Sequence, residues 1–453
     1  MTTYARRLGL FSGTMAVIGG IIGSGIFLNP PIVAQRVGTG GLVLGVWTLG
    51  AVVAIAGAFI FGELGQRLPR AGGQYAYLRD AFGPLAGFMD AWAMLLIIAT
   101  GAIAAVSYTF ATYLSSLFGL PPAAVPGIAV AAIWTLTAVN VLGVTWGAWV
   151  QNLFTVLKLG AIAVLVVVAL LGDSQSLPPA ATMVTAPANL WLAVSAALVP
   201  VLFSYGGWQQ TNNIAEEFVD PTRVLPQAIL AGVAVVVVAY LLTNVAYLKA
   251  LGAGGLAASR APAAETMAVF LGTAGRRFIS AGIVASTFGF LGLTILASPR
   301  VYQAMSRDGL FFDWFVKLHP RYQTPTTALI FQGAWATVLV LTNAYAQLLD
   351  YVVFADWIFF GSTGLALIMI RRRTPLTSGF QCPAFPITVT IFVAAAAYVV
   401  FGSITSNPGN ALRGALLLLL GVPVYFWRAR VAAARSGSVG RAAARSSVLS
   451  LDR

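Results

Sequence analysis

The stretch Gly19–Gly25 (GGIIGSG) places four glycines within seven residues, inside the charge-free run of residues 8–35. An apolar run of about 20 residues is long enough to cross a bilayer as a helix. Each glycine costs such a helix about 1 kcal/mol relative to alanine, so this helix is weakest near its centre. A second apolar run carries the same feature at Ser204–Gly207 (SYGG). The pattern predicts two membrane helices that are interrupted midway.

The composition of the whole chain favours the same class of protein. Of its 453 residues, 59% are hydrophobic and 9% are charged, and the mean hydropathy is +0.86. Soluble proteins carry about 25% charged residues, which excludes an ordinary soluble enzyme and a disordered chain. The single histidine (His319) and single cysteine (Cys382) exclude a disulfide framework and a histidine- or cysteine-rich metal site. We therefore expect no metal and no cofactor.

Apolar runs between polar breaks predict twelve spans and an all-α polytopic membrane protein. The spans lie near residues 10–35, 40–64, 84–116, 124–142, 149–171, 189–216, 225–249, 276–300, 326–343, 347–370, 384–404 and 411–428. The two glycine-rich breaks fall in the first and sixth spans. A five-span unit is odd-numbered, so its second copy inserts upside down. Interrupted helices at matching positions of such an inverted repeat point to a transport site at the membrane midplane.

The predicted organisation is a 5+5 inverted repeat followed by a two-helix hairpin. Its parts are a cytoplasmic N-terminus (1–9), the first repeat (10–171), the second repeat (189–370), the hairpin (384–428) and a basic cytoplasmic tail (429–453). With the N-terminus inside, 19 of the 26 basic residues lie on inner segments and six on outer ones. Cytoplasmic loops are enriched in basic residues, so both termini are predicted to be cytoplasmic in a multi-pass plasma (inner) membrane protein. The net charge of +13 thus reflects topology rather than a nucleic-acid surface.

Five separated motifs follow one another along residues 8–373. They are Gly19–Phe27 (GGIIGSGIF), Glu63–Leu78 (ELGQRLPRAGGQYAYL), Gln151–Gly160 (QNLFTVLKLG), Phe203–Glu217 (FSYGGWQQTNNIAEE) and Ser298–Leu310 (SPRVYQAMSRDGL). Together they resemble the amino acid–polyamine–organocation transporter superfamily, and the fourth is closest to its L-amino acid transporter branch. The resemblance implies a LeuT-type fold, with helices 1 and 6 unwound, and amino acid transport.

The chemistry of an interrupted helix explains why glycines belong in such a site. The break frees N–H groups where the outer half-helix begins and carbonyls where the inner half ends, which complement the carboxylate and ammonium of an amino acid. We assign the carboxylate to the N–H groups that begin the outer half of span one: Gly23, Ser24 and Gly25. We assign the ammonium to carbonyls beside the two breaks: Ile21, Ile22, Phe203 and Ser204.

Three residues of span six complete this predicted site. Gly206 and Gly207 lack side chains and so leave space beside the ligand for its own side chain. The resemblance implies that Phe203 is an aromatic gate that closes over the substrate. From the sequence pattern alone, Phe203 is interpreted as an aromatic residue that packs against other helices or faces lipid.

Lys158 is the only basic residue inside a predicted span. At 1.5 Å per residue it lies roughly 14 Å deep, near the middle of a ~30 Å core. A lysine at this depth raises the free energy of membrane insertion by about 2.5–3.5 kcal/mol. Its side chain is therefore expected to face the helix bundle and to bind polar groups there. The resemblance implies that it substitutes for the cation of sodium-coupled relatives, contacting the span-one carbonyls and a span-eight hydroxyl, either Ser286 or Thr287. The alternative is a lysine at a misplaced boundary that reaches the interface.

The acidic residues divide by depth. Glu63, Glu216 and Glu217 lie at predicted inner helix ends, near Arg67 and Arg223, which favours ion pairs or cytoplasmic-gate contacts over substrate contact. Asp90 is predicted to be interfacial. Asp356 lies roughly 22 Å along span ten from its inner end. It is a candidate proton or cation site, a partner for Lys158, or a residue of the outer vestibule.

The sequence therefore predicts a sodium-independent carrier that exchanges neutral L-amino acids by alternating access. The alternatives are proton-coupled uptake, with cationic amino acids or polyamines as substrates, and an amino acid sensor that does not transport. A channel needs a continuous polar pore, and an enzyme needs reactive groups at membrane depth; the spans favour neither. Animal members of the branch bind a heavy subunit through a cysteine between spans three and four. Residues 117–123 (LFGLPPA) contain none, so no disulfide-linked heavy subunit is expected.

Overall fold

The computed structural model describes residues 8–70, 72–142, 147–173, 187–322, 324–342, 345–375 and 378–431. These residues are largely helical, and Leu8 and Phe218 form an isolated β-bridge. The helices are α1 (Leu10–Ile21), α2 (Gly25–Val37), α3 (Gly40–Arg67), α4 (Gln74–Phe82), α5 (Pro84–Ala93), α6 (Ala99–Phe118), α7 (Val125–Val141), α8 (Gly147–Leu171), α9 (Leu190–Tyr205), α10 (Gln210–Asn213), α11 (Pro221–Ala258), α12 (Pro262–Arg307), α13 (Thr326–Thr342), α14 (Tyr345–Arg373), α15 (Ile387–Ser406) and α16 (Pro408–Leu419).

The helices have the length and composition of a polytopic membrane protein. Among the described residues, nine helices are long and apolar enough to cross a bilayer, and the bent pair α1 and α2 makes up to ten. Helices α9 and α13 are also apolar but have only 16 and 17 residues. The prediction of an all-helical polytopic protein is confirmed at this level. The twelve predicted spans fall on these helices in order, and the twelve-span inverted repeat stays a prediction.

Close helix packing positions the two breaks at the centre of the bundle. Helix α1 packs against α8 and α11, and α2 packs against α9 and α11. Lipid tails are as apolar as leucine, so close van der Waals contact between small residues drives helix association in a bilayer. At Gly50 and Gly232 an added Cβ would meet the side chains of Val201 and Val17, respectively. These glycines therefore bring α3 against α9 and α11 against α1.

The third predicted span differs from a regular helix. Met94–Ile98, between α5 and α6, is a π-helical turn. Its displaced carbonyls are satisfied by neighbouring helices: the Tyr302 hydroxyl donates to Met94 O (3.3 Å), and Trp335 Nε1 donates to Leu96 O (2.7 Å). Turns of this kind are frequent at functional sites.

Asp90, predicted to be interfacial, is buried within the bundle. It is 1% exposed, and its helix α5 packs against α14. The helix begins at Pro84, so Asp90 lies almost two turns, or about 9 Å, inside it, and its depth in the bilayer stays a prediction. Among the described residues, Asp90 Oδ2 has no hydrogen-bond partner.

Candidate functional site

The first span breaks between α1 and α2, which are bent by 42° relative to each other. Gly23 N–H donates to Ile21 O (2.8 Å) and closes a tight turn. Within the described chain, the N–H groups of Ser24 and Gly25 donate no backbone hydrogen bond. They lie at the start of α2, where unpaired donors and the helix dipole create an anion-binding position. The Ser24 hydroxyl, 1% exposed, also has no partner among the described residues.

The second break follows α9 and lies against the first. Gly207 adopts a φ of +123°, which side chains disfavour. A Cβ on Gly207 would lie 2.6 Å from the Gly20 carbonyl carbon, so the missing side chain lets the two breaks touch. A Cβ on Gly206 would meet only its own turn, at 3.3 Å or more. The space predicted beside both glycines is therefore open at Gly206, whereas α1 occupies it at Gly207.

A cavity lies between the two breaks. Its empty space is about 760 Å³, a figure that includes the solvent in its open mouth. Eight residues predicted from the sequence line it: Ile21, Gly23, Ser24, Gly25, Phe203, Gly206, Gly207 and Asp356. Phe203 is half-buried, in a position to cover part of the cavity.

Two predicted binding residues lie behind the cavity wall. Ile22 is fully buried, and its carbonyl accepts from Lys158. The Ser204 hydroxyl donates to Pro200 O (2.8 Å) and accepts from Asn29 Nδ2 (2.9 Å). The Ile22 carbonyl thus already has a partner, whereas the predicted group of Ser204 is its carbonyl, which these bonds do not involve. Neither residue is among those that line the cavity, and their role in binding the ammonium stays a prediction.

Lys158 on α8 is 1% exposed and reaches the end of α1. Its Nζ donates to Ile22 O (2.8 Å) and to Gly19 O (3.1 Å). The two span-eight hydroxyls do not bond it here. Thr287 Oγ1 donates to carbonyls of its own helix, and Ser286 Oγ is buried without a partner among the described residues. Lys158 thus places a positive charge at the break, between α8 and α1.

Sequence reasoning missed several polar residues that line the cavity. They are Gln209, Gln210, Asn213, Thr294 and Ser298. Gln209 Oε1 accepts the N–H of Gly207 (2.9 Å) and so stabilises the second break. The signal was the polar run QQTNN (209–213), which is unusual inside an apolar segment and directly follows the break.

Asp356 on α14 is the only ionisable side chain among the residues that line the cavity. It forms no ion pair with any described basic residue, including Lys158. Asp90, buried on α5, interacts with it electrostatically. The lining of the cavity thus includes a carboxyl group on α14 and N–H donors at the start of α2.

Ion pairs at the predicted inner ends of the helices involve two of the predicted acids. The Glu63 carboxylate, fully buried, accepts from Arg67 Nε (2.7 Å), from Arg371 Nη2 (2.5 Å) and from the Cys382 N–H (2.7 Å). Glu217 pairs with Arg300 (2.9 Å) rather than with the predicted Arg223. Both acids thus tie helices together and lie apart from the cavity.

Glu63→Gln is expected to loosen the segment that carries Cys382. Breaking a buried ion pair leaves an uncompensated charge and costs about 3 kcal/mol or more. Burial raises the pKa of the Cys382 thiol to about 11, so in the native protein it is both hidden and protonated at neutral pH. Alkylation of Cys382 should therefore be faster in the variant. Asp80→Asn, which removes a half-exposed pair with Arg79, is the control and should leave the rate unchanged; an equal rate in both variants would contradict the prediction.

Comparison with known proteins identifies the family of the chain. The sequence model described as amino acid permease matches residues 8–424. The chain belongs to the amino acid permease family. This confirms the predicted membership of the amino acid–polyamine–organocation transporters, which are carriers and not enzymes.

Characterised permeases align with nearly the whole chain. The serine/threonine exchanger SteT of Bacillus subtilis is 30% identical over 425 residues, covering 93% of this chain and 96% of its own. The human b(0,+)-type amino acid transporter 1 is 33% identical over 433 residues (94% and 88%). The mouse large neutral amino acids transporter small subunit 2 is 32% identical over 431 residues (93% and 80%). Amino acid transport or exchange across a membrane is thus the activity of this permease.

Proposed function

We propose that this permease is a sodium-independent exchanger of L-amino acids that works by alternating access around the cavity between the two breaks. The observation that carries the proposal is the arrangement at α2. Free N–H groups of Ser24 and Gly25 face a cavity beside the positive end of a helix, which suits the carboxylate of an amino acid. The relation to an exchanger from Bacillus subtilis supports exchange over one-way uptake.

Lys158 supports the independence from sodium. In sodium-coupled relatives of the proposed LeuT-type fold, a cation joins spans one and eight. Here the Lys158 ammonium binds carbonyls at the end of α1 and would take the place of that cation. We propose that it couples substrate binding to closure, with Ser286 or Thr287 joining it in another state of the cycle.

Neutral amino acids are the proposed main substrates, because most side chains that line the cavity are apolar or uncharged. Proton-coupled uptake, with cationic amino acids or polyamines as substrates, is the second candidate, and Asp356 in the cavity wall favours it. Phe203 is proposed as the gate. A sensor that binds without transport is the remaining alternative.

The proposed architecture is a twelve-span 5+5 inverted repeat with a C-terminal hairpin. We place it in the plasma (inner) membrane with both termini in the cytoplasm, as the distribution of basic residues favours. The mouse relative is named as a small subunit. For this chain we propose no disulfide-linked heavy subunit, because its single cysteine, Cys382, is buried.

Transport into proteoliposomes tests the proposal. A panel of labelled L-amino acids is offered, without sodium, to vesicles that are either empty or preloaded with unlabelled amino acid. We expect uptake of neutral amino acids into loaded vesicles, with little into empty ones and no increase on adding sodium. Uptake that requires sodium would contradict the role of Lys158. Uptake into empty vesicles that grows with an imposed pH gradient would replace exchange by the proton-coupled candidate.

A further inference from the structure

A neutral amino acid would leave the Asp356 side chain in the cavity wall without a charged partner. Asp356 lines the cavity, and no other lining side chain carries a charge. An ionisable residue at membrane depth is costly, and it normally pairs with a group that offsets its charge. Such a partner is therefore to be sought among the basic groups of the bundle or in the ligand.

The basic groups of the neighbouring helices are engaged elsewhere. The Lys158 ammonium donates to two carbonyls at the end of α1 and does not line the cavity. Arg371, in the last turn of α14, binds Glu63 through two nitrogens. Among the described residues, none forms an ion pair with Asp356.

The surroundings of Asp356 include a second buried acid and two aromatic rings. Asp90, 1% exposed, interacts with Asp356 electrostatically, and its Oδ2 has no partner among the described residues. The aromatic rings of Phe203 and Trp357 also line the cavity. Aromatic faces attract ammonium and guanidinium groups, most strongly where water is excluded.

The lining at the start of α2 supplies the second part of the argument. Ser24 is 1% exposed, and both its N–H and its hydroxyl lack partners among the described residues, so this part of the lining is suited to a carboxylate. An amino acid with a positively charged side chain carries a negative group at one end and a positive group at the other. The cavity offers the complementary pair, donors at α2 and a carboxylate at α14.

We propose that Asp356 binds the ammonium or guanidinium of a cationic amino acid side chain, so that the permease accepts dibasic L-amino acids as well as neutral ones. The inference rests on the proposed function, because it uses the same cavity and the same site for the main-chain carboxylate. Asp356 then determines specificity: it contributes little to a neutral substrate and strongly to a cationic one.

Two ligands of similar shape separate the effect of side-chain charge from that of side-chain size. L-arginine and L-citrulline have nearly the same shape, but only arginine is positively charged. Each competes with the uptake of a labelled neutral amino acid into loaded proteoliposomes, and we expect arginine to be the stronger competitor in the native carrier. In Asp356→Asn, arginine should lose about tenfold or more in affinity, since a charge-assisted hydrogen bond is lost, while citrulline changes by about twofold or less. Asp173→Asn removes an exposed acid and should change neither.

The outcomes separate this inference from the proposed function. Equal competition by arginine and citrulline in the native carrier would overturn the inference without any variant, while neutral exchange would still support the proposed function. Equal losses for both ligands in Asp356→Asn would also overturn it and assign the carboxylate a different role. If no exchange is seen at all, thermal stabilisation of the purified native carrier decides: greater stabilisation by arginine supports the inference, and no difference overturns it.

Discussion

Lys158→Ala is expected to give a folded, membrane-inserted permease that has lost at least about nine-tenths of its exchange activity. The Lys158 ammonium bonds Gly19 O and Ile22 O, the carbonyls that end α1 at the break. Without it, two buried carbonyls lose their donor, at about 1–3 kcal/mol each, and each 1.4 kcal/mol corresponds to a factor of ten. Exchange in proteoliposomes, normalised to the amount of inserted protein, measures the effect.

Lys249→Ala is a close control for this variant. Lys249, an exposed residue of α11, also donates through Nζ to two backbone carbonyls at the end of α8, Leu170 O (2.8 Å) and Gly172 O (3.2 Å). It shares the chemistry of Lys158 and lies outside the site, so near-native exchange is expected. Near-native exchange in Lys158→Ala as well would contradict the coupling role.

Gly207→Ala is expected to abolish exchange and to lower the thermal stability of the purified protein. Two effects add: a side chain at a φ of +123° is strained by about 1–3 kcal/mol, and the new Cβ overlaps the Gly20 carbonyl. Relief of this overlap requires the two broken helices to separate, which deforms the site between them. Exchange and a thermal unfolding curve in detergent test both consequences.

The neighbouring glycine provides the matched control. Gly206 has ordinary backbone angles (φ −66°, ψ 158°), and an added Cβ there meets no other helix. Gly206→Ala should therefore keep native stability to within about 1 kcal/mol, and should reduce exchange of bulky amino acids more than of small ones. Native behaviour of Gly207→Ala, or equal damage in both variants, would show that contact between the breaks is not required.

The features that sequence reasoning located are those in which a residue type conflicts with its surroundings. Four glycines inside an apolar run weaken a helix whatever surrounds it, and both breaks lie where the glycines are. Lys158 stood out because a charge at membrane depth is costly in any membrane protein, and it is buried against α1. Asp356 was found by the same argument, although its place in the cavity wall required the structure.

The features that it missed depend on which helices meet. The π-helical turn at Met94–Ile98 rests on donors from Tyr302 and Trp335, more than 200 residues further along the chain. Burial of Asp90 depends on the helices that pack against α5, and Glu217 pairs with Arg300 of α12, which lies more than 80 residues away in the sequence. The sequence analysis expected both the substrate ammonium and Lys158 at the span-one carbonyls, and only the structure shows that Lys158 takes Ile22 O.

The central claim is that an amino acid is held by its carboxylate where α2 begins. An experimental structure of the permease in a lipid nanodisc, with a transported L-amino acid bound, tests this most directly. The account predicts the carboxylate within hydrogen-bond reach, about 3 Å, of the Ser24 and Gly25 nitrogens, with the side chain extending past Gly206. An amino acid bound outside the cavity, or with its carboxylate turned away from α2, would contradict the account.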